Sequence, residues 1–139
     1  VTDTERRQEM FDKMYIGIVK QGKASYSIKH ANCMYRGPDG LKCGIGHLIP
    51  DDKYIPYLEH FSIDELILNP SDFDTKCIIS SLFLEQDSEF LDYAQQCHDE
   101  AYHESKDAGD TANDLFVEMY KERMQAVADK YNLTIPKVN

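Results

Sequence analysis

Cys33, Cys43 and His47 fall inside one short segment, "CMYRGPDGLKCGIGHLIPD", which spans residues 33–51. Zinc favours thiolate and imidazole ligands in a tetrahedral array. These three residues, with a fourth ligand from elsewhere, are therefore a candidate zinc site. The spacing lacks a Cys-x2-Cys knuckle. The competing reading makes both thiols small buried hydrophobes and gives His47 a hydrogen bond to a loop. A second group is "CHDEAYH", Cys97 to His103. It does not match the zinc-protease helix, which needs two histidines four apart on one face. A thiol from Cys33 or Cys43, with His98 as base and Asp99 as orienter, would be an arrangement for nucleophilic catalysis. Asp99 follows His98 directly and should point about 100° away around a helix, which argues against its holding the same ring. His98 lies on an apolar stripe, and the competing reading is a buried histidine bonded to backbone or to a tyrosine.

These residues must be positioned by helices. Thr2 and Glu5 have capping-box spacing, so a helix should start near Asp3. Met10, Phe11, Met14, Tyr15, Ile18 and Val19 then share one stripe, and Gly22 is a natural stop. Ser62 to Glu65 opens a short helix through about Leu68, ended by Asn69-Pro70. Ser71 or Asp72 can cap the next, and Asp87 or Ser88 can start another, with Phe90, Leu91, Ala94, Cys97, His98 and Ala101 facing inward. Asp110 caps a last helix that ends near Asn132, and Leu133 and Ile135 tuck back. No repeat or linker divides the 139 residues, which suit one globular domain, 1–139. The expected fold is mainly α: four to five helices in a bundle-like domain with one β-hairpin inserted at about residues 32–47.

Pro38-Asp39-Gly40 supplies the hairpin turn. Proline fits the second position of a type I turn, aspartate the third, and glycine the left-handed position that follows. That favours a glycine bulge over the tighter type I′ turn. In this register Gly37 faces Leu41, Tyr35 faces Cys43, and Cys33 faces Ile45. Cys33, Tyr35, Cys43, Ile45 and His47 then share one face. The tip, with Tyr35, Arg36, Asp39 and Lys42, is the expected binding surface, since Tyr and Arg are common interface anchors.

Net charge is −10. Residues 1–60 carry +1 and residues 61–139 carry −11. Such an acidic half repels nucleic acid and anionic membrane, because phosphate binding needs Lys and Arg. It suits a basic protein partner, and it also simply keeps helix faces solvated. No apolar run approaches a membrane span, and the N-terminal residues do not form a secretory leader. A cytoplasmic setting is expected, with the four cysteines as thiols or metal ligands.

The segment Cys33 to Asp51 resembles the signature of a family of small proteins encoded by bacteriophages and some bacteria. In that family a helix ending in Gln-Gly precedes Cys-x-Tyr-Arg-Gly-x-x-Gly-x-x-Cys-x-x-Gly and then Leu-Ile-Pro-Asp, with a later His-Asp on a helix. Gln21-Gly22, Leu48 to Asp51 and His98-Asp99 fit. The resemblance implies a phage-type accessory protein in a host cytoplasm and a shared fold. It supplies no mechanism and no catalytic residue. The charge asymmetry, the hairpin carrying Tyr35, Arg36 and Lys42, and the lack of a convincing catalytic constellation give non-enzymatic binding of a host or phage protein as the expected function. A small Cys/His enzyme or zinc-stabilised protein, and a virion component, are the alternatives.

Overall fold

The Thr2 hydroxyl accepts the backbone N–H of Glu5 at 3.0 Å and so starts helix α1 (Asp3–Gln21). Gly22, at φ +78°, closes it by donating to Ile18. Positive φ is open to glycine at no steric cost, so the stop falls there. The computed structural model describes residues 1–139. Four more helices follow: α2 (Ile63–Leu68), α3 (Phe73–Leu82), α4 (Ser88–Ser105) and α5 (Ala112–Tyr131). Asp72 caps α3 by accepting the Thr75 N–H at 2.7 Å. Asn132, left-handed at φ +58°, ends α5. α4 lies along α5 and also packs on α2. One apolar core of 25 buried residues joins all of them, including Phe11, Met14, Phe90, Phe116 and Tyr120. Leu133 is buried and Ile135 packs against the core, so the tail does return to the body. No helix is long and apolar enough to cross a membrane.

The domain is mainly helical with one small hairpin, as expected, but the paired strands start earlier than residue 32 and reach only to Cys33. β1 (Tyr26–Ser27) and β2 (Asn32–Cys33) are antiparallel, with Tyr26 opposite Cys33 and Ser27 opposite Asn32. Cys33 thus faces Tyr26 and not Ile45. The turn at Pro38 also differs. Asp39 (φ +59°) and Gly40 (φ +75°) are both left-handed, and Leu41 donates to the Pro38 carbonyl at 3.1 Å. Pro38 is thus the first residue of the turn, and Asp-Gly occupies its two central positions, the preference of type I′. The anticipated register survives around it: Gly37 donates to Leu41 at 2.8 Å, and Arg36 bridges Lys42. Regular pairing stops beyond Cys43, because Ile45–Leu48 winds into a 3-10 turn. That turn packs on α1.

From Met34 to Phe61 the chain has no long ladder; short turns pair many of its backbone groups, and side chains pair several others. Gln21 accepts the Lys42 N–H and donates to the Lys42 carbonyl. Glu59 accepts the N–H groups of Tyr35 and Arg36 at 2.9 and 3.0 Å. The Ser25 hydroxyl donates to Met34 at 2.8 Å. Buried backbone groups need partners, and here distant side chains provide them.

Candidate functional site

Gln95, His98, Asp99 and Tyr102 recur at helical spacing along one stripe of α4, the stripe that meets the hairpin. Tyr26 of β1 stacks on Tyr102, with ring centroids 4.2 Å apart, and seats the hairpin there. This brings Cys33, His98 and Asp99 together: one ligand atom from each lies within 4.8 Å of the others. Cys33 and Asp99 open onto a cleft of about 210 Å³ between residues 32–35, residues 59–62 and α4. Cys43, Glu59, His60, Phe61 and Gln95 complete much of its wall. His98 lies behind it, fully buried, with Phe116 edge-on to its ring.

The protonation of His98 follows from its partners. Nε2 lies 3.0 Å from the backbone N–H of Ser25 and must accept it. The proton therefore sits on Nδ1, which donates to Asp99 Oδ1 at 2.9 Å. Adjacent residues on a helix thus do meet, contrary to the 100° argument. The Ser25 N–H holds the ring edge across the helix face, and the half-buried Asp99 side chain turns back onto it. The chain of contacts ends on the carboxylate, with the imidazole behind it. In a nucleophilic triad the imidazole stands between thiol and carboxylate. Here its acceptor nitrogen is already filled.

The thiols are correspondingly quiet. Burial, with the negative charge of Asp99 next, pushes the Cys33 pKa well above that of a free cysteine. Cys43 is 2% exposed and is raised by burial too, though the Gly46 N–H pointing at its sulfur offsets part of the rise. Only the thiolate is nucleophilic. Native protein treated with iodoacetamide should therefore react first at exposed Cys77, slowly at Cys33, and at Cys43 and Cys97 only on unfolding. Asp99→Asn should speed alkylation at Cys33 by removing the charge beside it. Peptide mapping by mass spectrometry reads both; rapid labelling of wild-type Cys33 at pH 7 would show an activated thiol.

The anticipated zinc set of Cys33, Cys43 and His47 is not assembled. Cys33, His98 and Asp99 are the one group close enough to share an ion. The donor types suit zinc, but the tautomer opposes it. A metal on Nδ1 would move the ring proton to Nε2, where it would meet the Ser25 N–H. Metal-bound histidines ordinarily donate that second N–H to an acceptor.

His47 lies elsewhere, its ring against Gly17 of α1, where an added Cβ would sit 2.7 Å from it. Its Nε2 is buried without a partner. Burial, with Lys42, His98 and Arg36 nearby, lowers its pKa to about 4. An unfolded histidine titrates near 6.5. Between those values the unfolded chain binds a proton that the native state refuses. Stability should therefore fall as pH drops from about 6.5 to about 4 and gain nothing from His47 below that. His47→Asn should flatten the slope of denaturation midpoint against pH in that window. The low-pH loss from carboxylates such as Asp72, held down by the Thr75 N–H, should remain.

The expected binding surface is largely structural. Tyr35 is 3% exposed and donates to the Phe61 carbonyl at 2.7 Å. Arg36 donates to the Ile49 carbonyl, pairs with Asp51 at 2.6 Å and lies over the Tyr54 ring. The turn folds back onto residues 49–61, so these two face inward. Asp39 is exposed and Lys42 partly so. Sequence reasoning missed Glu59, Gln95 and Ser25. Gln95 was findable, since it precedes Asp99 by one helical turn. Ser25 acts through its backbone N–H, which no residue type announces. Comparison of the chain with family models, curated proteins and solved structures finds no match.

Proposed function

We propose that the chain is a small acidic accessory protein of phage type that acts by binding a basic protein and not by catalysis. The observation that carries this reading is the uneven surface charge. Most acidic side chains of α3–α5 are exposed, among them Asp74, Glu89, Glu104, Asp114, Glu118 and Glu122. The cations there are partly spent at home: Arg123 pairs with Glu100 and Glu104, and Lys130 with Glu89. The remaining negative field would steer a basic partner. Tagged protein should capture a stoichiometric partner from host lysate. That partner should elute as salt rises from about 0.15 M to 1 M, where the screening length falls from about 8 to 3 Å. Capturing nothing stoichiometric, or a partner indifferent to salt, would overturn the reading.

A second reading is favoured by the meeting of Cys33, His98 and Asp99, which includes residues that carry the family resemblance. In it the cleft is a small thiol- or zinc-dependent site. Metal analysis of protein purified without added zinc, together with the Cys33 labelling rate, tests it. A full equivalent of zinc, or a fast-reacting Cys33, would favour it over the binding reading.

A further inference from the structure

We infer that the cleft beside Asp99 receives the guanidinium of one arginine side chain from the partner; this rests on the binding reading above. The inventory of the cleft leads there. Glu59 is filled by the N–H groups of Tyr35 and Arg36 and by the Tyr54 hydroxyl at 2.6 Å. The Gln95 oxygen accepts the Ile63 N–H at 3.0 Å. Ser62 donates to Asp64 and Glu65, and Tyr35 donates to Phe61. Asp99 alone combines a negative charge with spare acceptor positions: His98 meets Oδ1, the Cys33 thiol lies beside the carboxylate as a second, weak donor, and the side chain is 37% exposed.

No Lys or Arg lines the cleft to neutralise it. Arg36, the neighbouring cation, is turned away to Asp51 and Ile49. The charge is felt throughout. Asp99 is among the causes that raise the pKa of Cys33, Tyr35 and Cys43. A carboxylate has room for a two-pronged guanidinium, and a buried imidazole fixes this one in orientation. Phe61 and His60 line the same cleft, and aromatic walls suit a planar cation better than a compact ammonium. The volume, about 210 Å³, is enough for one long side chain.

The test titrates acetyl-Gly-Arg-Gly-amide into labelled wild-type protein, followed by amide chemical shifts. The peptides with citrulline and with lysine at the central position are run beside it. Citrulline keeps the shape of arginine and lacks its charge. Saturating shifts at Cys33–Arg36, residues 59–62 and Gln95–Glu100 are expected, with affinity for arginine at least tenfold above citrulline and also above lysine. Asp99→Asn, which still accepts from His98, should weaken the arginine peptide about tenfold. Equal responses to arginine and citrulline, or no shifts at the cleft into the tens of millimolar, overturn the inference. The wild-type comparison stands even if the variant fails to fold. If the peptide fails while capture of a salt-sensitive partner persists, the arginine pocket is wrong and the binding reading stands.

Discussion

Asp87→Ala is expected to lower the unfolding free energy by about 3 kcal/mol, at the lower end of the range for breaking a buried ion pair. Asp87 precedes α4 with its side chain 1% exposed. Arg6 donates to it from Nε at 2.5 Å and from Nη2 at 2.7 Å, and Arg7 from Nε at 2.8 Å. One carboxylate thus fastens the first turns of α1 to the start of α4, across eighty positions of sequence. Its charge also lies near the positive end of the α4 dipole. Truncation removes the shared carboxylate and leaves Arg6 with Asp3 and Arg7 with the Gln86 carbonyl as their remaining partners. The two arginines retain 23% and 18% exposure, so they partly rehydrate, which places the loss at the low end. Urea unfolding should show a lower midpoint with unchanged slope. A loss below about 1 kcal/mol, the ordinary worth of a surface pair, would mean the contact is not buried in solution.

Gly46→Ala should be more damaging still, beyond the usual overpacking range of about 1–3 kcal/mol. An added Cβ would stand 1.9 Å from the Tyr35 carbonyl oxygen and 2.9 Å from its carbon. Both are backbone atoms, so no side chain can swing aside. Tyr35 is held by Glu59 and by the Phe61 carbonyl. The expected outcome is loss of near-ultraviolet circular dichroism from the tyrosines packed around the cleft, with helical far-ultraviolet signal retained. Gly44→Ala is the control. Its nearest neighbours, Met14 side-chain atoms, are 3.4–3.5 Å away, and its backbone is right-handed helical. It should be nearly neutral.

The helices were legible because their ends are written locally. Thr2, Asp72, Gly22 and Asn132 each act within a few residues of themselves, and the apolar stripes do the rest. The region between α1 and α2 was legible only in part. The register at Arg36 and Lys42 follows from a three-residue loop, Pro38–Gly40, although the conformation inside that loop does not. What happens beyond Cys43 depends on Gly46 lying against Tyr35, a contact no spacing rule contains. The site shows the same division. Cys33, His98 and Asp99 were singled out by type. Their order of contact was not, because Ser25 sets it from seventy-three residues away in sequence.

That dependence has a dynamic consequence. A stretch tied to the helical body at scattered points, by Gln21 on Lys42 and by His98 on Ser25, and joined within itself by one two-residue strand pair and short turns, has little partial structure to fall back on. Residues 23–61 should open as one cooperative unit, at lower free energy than the helical body, and the pocket should vanish in a single event whenever they do.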